Sequence, residues 1–541
     1  MKKKSLPVFF VGLLMCGCQM KEVINEYNVV PLPVTMSEQQ GRFYLNSDVP
    51  IVVNASQEVK HIASGLSTTL LDIAGLKLKP TDELHENVPS IVFDSIPGME
   101  KEAYKLSVTP QLIKITASAP NGFYYGLQTL YQLLPVDVYC KERARNAEWS
   151  VPCVEIEDAP TFRYRGAMLD VCRHFASIDY IKKFIDVLAA HKMNTFHWHL
   201  TDHQGWRIEI KKYPLLTEIG SKRDSSMIGH FGSNVYDGKP HSGFYTQNEI
   251  TEVIEYARDR HILVIPEIDM PGHSTAAIAS YPWLGSGKEK VKVACRFGPH
   301  LEAYNVTKPK VRQFLKNVLT EVIALFPSPI IHIGGDEVRY NYWNESESIQ
   351  KYMKDNGFKS PADVQIAFTN EMSEWLNERN HRMMGWNEIT GDQFHEYQST
   401  VSTTSQKLAP NTIVHFWKGD PELMTKTVKK GYDVVNSYHK YTYLDYSYEE
   451  TPLSKSYSFE PVPESLTEYE RKHVLGLGCQ MWCEFVPNVK TLNVKVFPRI
   501  AAIAEVGWTQ KENKSYDRFV KSLEAMDAYW KSIGVIGNNK R

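Results

Sequence analysis

Eight short apolar runs between residues 167 and 482 constrain the fold more than any other feature of the chain. They are AMLDVC (167–172), MNTFHWHL (193–200), ILVIPEID (262–269), IIHIGG (330–335), RMMGWNE (382–388), TIVHFW (412–417), YDVVNSY (432–438) and VLGLGCQMW (474–482). Helical patterns separate most of them, as where Ile181, Phe184 and Leu188 follow one helix face. Strand–helix alternation repeated eight times predicts an α/β fold built as a (β/α)8 TIM barrel, and a doubly wound sheet is the alternative.

The region before the barrel, residues 18–158, carries a different pattern in which short strands and helices are mixed. The predicted elements are strands at 50–56, 90–96 and 105–118, and helices at 58–75 and 121–135. Elements of this kind form a small α+β sheet domain. We therefore expect an N-terminal α+β domain, followed by the barrel domain at 159–541 with a C-terminal helix.

The first residues have the composition of a targeting segment. Three lysines at positions 2–4 precede an apolar stretch that is too short to span a bilayer as a stable helix. A small residue before Cys18 resembles a bacterial lipoprotein signal. Residues 1–17 are therefore predicted to be a lipoprotein signal peptide and Cys18 the lipidated first residue. The expected location is the cell envelope, periplasmic or outer surface, and a plain secretory signal is the alternative.

Charge and cysteine usage narrow the class of function. The formal net charge is −2, from 61 basic and 63 acidic residues, so no basic excess favours a nucleic-acid partner. Eight cysteines are scattered over the chain, which is not the pattern of a small disulfide scaffold. The 11 tryptophans and 29 tyrosines supply aromatic faces of the kind on which sugars stack.

A TIM barrel places its functional residues at the carboxyl ends of its strands. Polar or aromatic residues lie at the end of every predicted strand of this chain. In strand order they are Asp170 and Arg173, with Arg165 earlier on the same strand; His197, His199 and Asp202; Glu267, Asp269 and His273; Asp336 and Glu337; Trp386 and Glu388; Trp417; Tyr443 and Asp445; and Trp482 and Glu484. We expect these side chains to meet at the mouth of the barrel.

Two adjacent acids, Asp336 and Glu337, follow Gly334 and Gly335 at the end of the fourth run. Neighbouring side chains on a regular strand point to opposite faces, but a bend at the glycines would turn both acids into the mouth. Both would then lie on the same side of a substrate. The carboxyls of a conventional retaining glycosidase stand about 5 Å apart across the sugar. This motif therefore predicts one acid, one orienting carboxylate and a nucleophile located elsewhere.

Seven stretches carry a combined motif, in which PGH precedes HIGGDE and a tryptophan lies near each later strand end. They are RGAMLDVCRHF (165–175), NTFHWHLTDHQGWRIEIKKYP (194–214), FYTQNEITEVIEYARDRHILVIPEIDMPGHS (244–274), IHIGGDEV (331–338), GWNEI (385–389), YLDY (443–446) and GCQMWCEF (478–485). Together they resemble the β-N-acetylhexosaminidases of glycoside hydrolase family 20, whose small N-terminal domain the first domain also resembles. The resemblance implies an exo-acting enzyme that removes terminal, non-reducing β-linked GlcNAc or GalNAc from glycans.

The resemblance also implies where the nucleophile is. In this family the substrate's own 2-acetamido oxygen attacks C1 and forms an oxazolinium intermediate, so the reaction is retaining and substrate-assisted. Glu337 is expected to be the general acid and later the base. Asp336 is expected to accept the acetamido N–H, and Tyr443 to hydrogen-bond the acetamido oxygen. Asp202 and His273 resemble the family pair that supports the acid.

Two kinds of substrate-binding residue follow from the same resemblance. Tryptophans are expected to enclose the N-acetyl methyl group and to underlie the sugar ring: Trp386, Trp417 and Trp482. Charged residues are expected to hydrogen-bond the 3-, 4- and 6-hydroxyls: Arg165, Asp445 and Glu484. An ordinary ion pair within the barrel is the alternative for Arg165 and Asp202.

Three alternatives to this function remain open in the sequence. Lacto-N-biosidase or transglycosylase action uses the same fold, and a non-catalytic surface glycan-binding lipoprotein would keep it without turnover. The His197-x-His199 spacing is also that of a strand-borne metal pair, although no later strand end supplies matching ligands. The resemblance implies no metal or other cofactor, and it leaves the sugar preference and oligomeric state undetermined.

Overall fold

The computed structural model describes residues 27–540, apart from residues 82, 84–86, 141, 145–146, 288, 393–394, 396–401 and 406. The predicted signal peptide at 1–17 and the predicted lipidation site Cys18 lie outside the described residues.

Within the described residues, eight parallel strands close into a barrel. The first to eighth barrel strands are Tyr164–Asp170, Thr195–His199, Leu263–Glu267, Ile330–His332, Arg382–Trp386, Ile413–Phe416, Asp433–Asn436 and Val474–Met481. The first strand pairs with the second on one side and with the eighth on the other, which closes the sheet. The predicted (β/α)8 fold is confirmed, and a strand overlaps each predicted apolar run.

Helices surround the barrel, and the longer ones bury apolar residues against it. Those of the barrel domain are Ile178–Ala190, Leu215–Glu218, Gln247–Arg258, Thr275–Ser280, Pro309–Leu325, Asn341–Glu345, Glu347–Asp355, Pro361–Asn377, Pro421–Lys429, His439–Thr442, Leu453–Tyr457, Glu468–Arg471, Val489–Val496, Arg499–Trp508 and Tyr516–Ser532. Short 3-10 turns lie at Pro282–Leu284, Asn387–Thr390 and Lys511–Asn513. A capping box formed by Thr246 and Glu249 satisfies backbone groups at the start of Gln247–Arg258.

The long loop after the second barrel strand carries three small two-stranded pairs. They join Thr201–Asp202 to Gly205–Trp206, Lys222–Arg223 to His241–Ser242, and Met227–Ile228 to Val235–Tyr236. Loops at the carboxyl ends of barrel strands form the mouth of a TIM barrel. These pairs therefore give regular structure to one side of that mouth.

The N-terminal domain is a mixed sheet covered by helices. Its strands, in spatial order, are Thr35–Tyr44, Ser150–Asp158, Tyr104–Val108, Leu112–Ala117, Ser90–Ser95, Pro50–Asn54 and Lys79–Thr81. Its helices are Gln57–Ala74 and Pro120–Leu133, with a 3-10 turn at Val136–Tyr139. The two helices contribute Leu66, Leu70 and Leu130 to a core separate from that of the barrel. A small α+β domain therefore precedes the barrel.

Buried polar contacts join the two domains. Lys192 Nζ lies 2.8 Å from Asp158 Oδ2, and Trp508 Nε1 donates to Asp158 Oδ1 at 2.9 Å. A buried charge is tolerated only when it is paired and hydrogen-bonded, and both conditions hold here.

None of the helices among the described residues combines the length and apolarity that a bilayer-crossing segment needs.

Candidate active site

A cavity of about 410 Å³ opens at the carboxyl ends of the barrel strands. We call it the pocket. The predicted residues that line it are Arg173, His273, Asp336, Glu337, Trp386, Trp417, Tyr443, Asp445, Trp482 and Glu484. The barrel thus brings together side chains from seven strand ends, which are spread over more than 300 positions of the chain. Asp202 lies buried behind the pocket, and Arg165 lies elsewhere.

The backbone bend predicted at the two glycines is present. Gly334 has φ 66° and Gly335 has φ 94°, which is the left-handed region that favours glycine. A Cβ at Gly334 would lie 2.0 Å from Asp269 Oδ1, so no larger residue fits there. Glu337 itself has φ 49°, a strained conformation for a non-glycine residue. The bend turns Asp336 and Glu337 into the pocket together.

The two acids share one partner, His273. Its Nε2 lies 3.5 Å from Asp336 Oδ2 and 3.8 Å from Glu337 Oε2, and its Nδ1 lies 3.1 Å from Asp202 Oδ1. Burial disfavours a charged imidazole, but Asp202 and Asp336 outweigh it and raise the pKa of His273 well above its ordinary range. His273 is therefore held as a cation between the buried Asp202 and the acid pair.

Burial strongly perturbs Asp336. Burial, reinforced by nearby carboxylates such as Glu388 and opposed by the His273 cation, raises the pKa of Asp336 to about 7. Its Oδ1 atom is buried and has no hydrogen-bond partner among the described residues. A buried acceptor without a donor is costly. The pocket therefore presents an acceptor that is ready for a donor from a ligand.

Asp202 is buried among cations and serves as their common partner. Its Oδ2 lies 2.9 Å from Arg173 Nη2 and 3.0 Å from His199 Nε2. Burial would raise its pKa, but Arg173 and His273 outweigh burial and hold the pKa of Asp202 well below its ordinary value. Asp202 thus stays ionised and orients His273 towards the acids.

The prediction that Arg165 binds substrate is wrong, because this residue lies at the amino end of the first barrel strand, opposite the pocket. Its Nη1 lies 2.8 Å from Glu102 Oε2 in the N-terminal domain. Its guanidinium also donates to the carbonyl oxygens of Phe162, at 2.7 Å, and of Lys192, at 2.9 Å. The alternative for Arg165, an ion pair, is met in kind, but its partner Glu102 lies in the N-terminal domain and not within the barrel.

Arg173 takes the place at the pocket that was expected of Arg165. It follows the carboxyl end of the first strand and lies 3.2 Å from Asp170 Oδ2 and 3.8 Å from Glu484 Oε1. Its Cζ lies 5.0 Å from the centre of the Trp482 ring. The rule that functional residues lie at the carboxyl ends of strands pointed to Arg173, whereas the family resemblance was taken to imply Arg165.

The aromatic residues of the pocket stand close to one another. The rings of Trp417 and Tyr443 are 6.0 Å apart and nearly parallel, at 5°. Trp386 lies 5.9 Å from Trp482 and donates its Nε1 to Glu267 Oε1 at 2.9 Å. Burial raises the pKa of Tyr443 well above its ordinary value, so its hydroxyl keeps its proton and can donate. These four rings form apolar walls with one hydroxyl donor among them.

Two further acids lie among these aromatic residues. Burial, followed by the nearby Glu484, raises the pKa of Asp445 to about 8. Burial also raises the pKa of Glu484, although Arg173 opposes it. Asp445 Oδ1 is buried without a partner among the described residues. Both acids can therefore accept hydrogen bonds from hydroxyl groups of a ligand.

The histidines of the suggested metal pair do not line the pocket. His199 lies between Glu267, at 2.6 Å, and Asp202, at 3.0 Å, and His197 Nε2 lies 2.9 Å from Glu267 Oε2. His197, His332 and His415 place ring nitrogens within 4.8 Å of one another inside the barrel. The pair thus belongs to a buried network centred on Glu267.

Several pocket residues come from loops that the motifs did not single out. Those that line the pocket are Phe231, Gly232, Arg296, Phe297, Gly298 and Pro299. The loops after the second and third strands carry them, and no periodic pattern of residues in these loops predicts which side chains face the pocket. The only available signal was the length of these loops, because long loops at the carboxyl face usually shape the site.

A closed barrel with adjacent acids in an aromatic pocket at its carboxyl face defines the class of TIM-barrel glycoside hydrolases. Comparison with known proteins narrows the class. Residues 162–511 match the model of the glycosyl hydrolase family 20 catalytic domain, and residues 26–159 match the model of domain 2 of the same family. The chain therefore belongs to glycosyl hydrolase family 20.

Individual relatives agree with this assignment. A β-hexosaminidase of Porphyromonas gingivalis is 36% identical over 533 residues, which cover 95% of this chain and 65% of the relative. This chain thus spans less than two thirds of that protein's length. The exo β-N-acetylglucosaminidase of Vibrio harveyi, solved with N-acetylglucosamine, superposes with a TM-score of 0.81 at 30% identity, over 95% of this chain and 79% of the other. The N-acetyl-β-hexosaminidase of Streptomyces plicatus, solved with Thio-NAglucal, superposes with a TM-score of 0.79 at 29% identity. The match covers 95% of this chain and 97% of the other.

Proposed function

We propose that this protein is an exo-acting β-N-acetylhexosaminidase that removes terminal, non-reducing β-linked GlcNAc or GalNAc from glycans with retention of configuration. The position of the two acids carries the proposal. Asp336 and Glu337 both approach the same His273 nitrogen, so they lie on one side of the pocket. Acids on one side cannot serve as acid and nucleophile across a sugar. A 2-acetamido group on the substrate supplies the missing nucleophile, and the names of the relatives support this reading.

In the first step, Glu337 donates its proton to the glycosidic oxygen while the acetamido oxygen attacks C1. The C1–oxygen bond breaks, and an oxazolinium ion forms. Asp336 Oδ1, the buried acceptor without a partner, accepts the acetamido N–H and stabilises the developing positive charge. The hydroxyl of Tyr443 donates a hydrogen bond to the acetamido oxygen and thereby orients it. Glu337 then removes a proton from water, which attacks C1 from the side that the leaving group vacated, while the bond between C1 and the acetamido oxygen breaks and the acetamido group is restored.

The walls of the pocket fit the rest of the sugar. Trp386 and Trp417 enclose the N-acetyl methyl group, and Trp482 provides a face under the ring. The hydroxyls are bound by Asp445, Glu484 and, in place of Arg165, Arg173. A guanidinium has five N–H donors, of which Arg173 uses three on Gln204, Asp170 and Asp202. Two donors remain for the substrate.

The test compares nitrophenyl N-acetyl-β-glucosaminide with nitrophenyl β-glucoside, with and without a chelator. We expect hydrolysis of the acetamido sugar alone, β-configured product by NMR, and no effect of the chelator. An N-acetylglucosamine thiazoline, which mimics the cyclised intermediate, should inhibit competitively. Cleavage of both glycosides at similar rates would require a nucleophile from the protein and would rule out the proposal.

We also propose that Cys18 is lipidated and anchors the protein in the cell envelope. The support is the order of features in residues 1–18: three lysines, an apolar stretch and a small residue before the cysteine. Cys18→Ser should abolish incorporation of labelled palmitate and release the protein from the membrane fraction. Membrane retention of this variant without label would contradict the anchor, and Cys16→Ser is the matched control.

A further inference from the structure

The mouth of the pocket carries a cluster of three phenylalanines from three separate loops. Phe231 follows the second barrel strand, Phe297 the third and Phe485 the eighth. The ring centres of Phe231 and Phe485 are 5.1 Å apart at 82°, and those of Phe297 and Phe485 are 5.4 Å apart at 87°. Edge-to-face contacts of this kind hold aromatic rings in a defined orientation. We call this group the phenylalanine cluster.

Phe231 is the exposed member of the cluster. Its side chain is 58% exposed, whereas Phe297 is buried at 1%. Because Phe485 meets Phe231 edge-to-face, this contact does not cover both faces of the Phe231 ring. Phe231 also lines the same pocket as Glu337, so the exposed ring and the acid belong to one continuous cavity. An exposed apolar surface bordered by polar residues marks a binding site more often than a packing defect.

The loop beneath Phe231 is held rigidly to the pocket. Arg296 Nη2 donates to the Pro299 carbonyl at 2.8 Å, and Gln204 Nε2 donates to the Arg296 carbonyl at 2.8 Å. Gln204 Oε1 in turn accepts from Arg173 Nε at 3.0 Å. A Cβ at Gly298 would lie 3.7 Å from the Phe231 ring, which shows how closely the ring lies over this loop. The mouth is therefore preformed, as small-ligand sites usually are.

We propose that Phe231, supported by Phe297 and Phe485, forms a leaving-group subsite that stacks on the C–H face of the neutral pyranose attached to the scissile bond. The proposal rests on the function proposed above. Glu337 protonates the glycosidic oxygen, so the unit beyond that oxygen extends away from the sugar that Asp445 and Glu484 hold, towards the mouth. An aromatic face binds the apolar side of a sugar without demanding a particular set of hydroxyls. The subsite thus selects for a sugar as leaving group.

The experiment compares kcat/KM for triacetylchitotriose with kcat/KM for trifluoroethyl N-acetyl-β-glucosaminide, whose leaving group has no ring. Phe231→Ala should lower the ratio of the two values about three- to tenfold, the range expected for one aromatic contact. Phe231→Trp should restore the ratio, because it supplies a larger face at the same place. Tyr236→Ala is the matched control: Tyr236 lies on the same hairpin, is 41% exposed and does not line the pocket, so the ratio should not change.

An unchanged ratio in Phe231→Ala would overturn the subsite. An equal loss on both substrates would also overturn it, and a lowered mass in sedimentation would then assign the ring to a contact between two copies of the chain. Failure of the wild-type protein to hydrolyse either N-acetylglucosaminide would instead contradict the proposed function itself. The two failures are therefore distinguishable.

Discussion

The two ends of the first barrel strand each carry a buried arginine, and the two arginines do different work. Arg165, at the amino end, uses its donors on Glu102, Tyr125 and backbone carbonyls between the domains. Arg173, beyond the carboxyl end, is held by Asp170 and Asp202 yet keeps donors that face a cavity. The comparison teaches that residue type and burial do not distinguish an arginine that joins the two domains from one that lines the pocket. The end of the barrel at which it lies does.

The largest expected effect is at the carboxyl end. Glu337→Gln should lower kcat for triacetylchitotriose about 10²- to 10⁴-fold, because a general acid contributes about this much. The loss should be smaller for a nitrophenyl leaving group, which needs less protonation. Steady-state kinetics on both substrates and a thermal melt test this prediction. Equal losses on the two substrates, or a large fall in Tm, would show that Glu337 is not the acid.

A substitution at the amino end of the first barrel strand should change the stability of the protein and not its activity. Arg165→Met should lower the free energy of unfolding by about 3–5 kcal/mol, because it leaves Glu102 partly buried without its cation. Burial raises the pKa of Glu102, but Arg165 outweighs it and lowers that pKa overall. The pair's contribution is therefore present above the ordinary glutamate pKa and is lost as pH falls through the lowered one.

Urea denaturation measures this effect, and Lys105→Met is the matched control. Lys105 pairs with Glu157 in the same domain, but both side chains are about half exposed or more, so its loss should cost about 0–1 kcal/mol. The folded Arg165→Met protein should keep the wild-type kcat/KM. A changed KM at full folding would mean that Arg165 does reach the substrate.

A smaller effect is expected from Arg173→Lys, which keeps the charge but loses the forked geometry. We expect kcat/KM to fall about 10- to 100-fold, the value of a hydrogen bond that involves a charged group. Kinetics with the nitrophenyl N-acetyl-β-glucosaminide test it. A wild-type kcat/KM in this variant would show that Arg173 does not bind the substrate. The proposed difference between Arg173 and Arg165 would then be wrong.

The smallest effect is a dependence on pH. Asp336 must be ionised to accept the N–H and to face the oxazolinium, and burial raises its pKa to about 7. As pH falls through that value Asp336 gains a proton, so kcat/KM should decline about tenfold per pH unit below it. The Asp336→Asn variant should lose this decline of kcat/KM at acidic pH. If kcat/KM instead declined only near the ordinary aspartate pKa of about 3.9, burial would not control the ionisation of Asp336.

The sequence predicted the barrel well because its signals are local. Each apolar run forms a strand by its own composition, and the polar residue after it reaches the carboxyl face wherever the barrel closes. The Gly334–Gly335 bend was equally readable, since only glycine adopts that backbone conformation easily. The roles assigned to Asp336, Glu337 and Tyr443 remain predictions until the kinetics are measured.

Arg165 shows where sequence reasoning failed. The first run was predicted to start at residue 167, but the strand is Tyr164–Asp170. Arg165 was already expected to precede this run on the same strand, so the error lay in the substrate-binding role that the resemblance was taken to imply for it. Strand boundaries depend on hydrogen bonds to neighbouring strands, here the eighth, which are absent from a single stretch of sequence.

The sequence by itself determined the class of fold, the identity of the acid pair and most of the polar residues at the strand ends, because periodicity and glycine geometry act over a few residues. Only the tertiary structure decided that Arg173 rather than Arg165 faces the pocket, and that Phe231, Phe297 and Phe485 meet at its mouth. These choices depend on contacts between segments that are far apart in the chain. Barrel closure and loop packing create those contacts, and no local pattern encodes them.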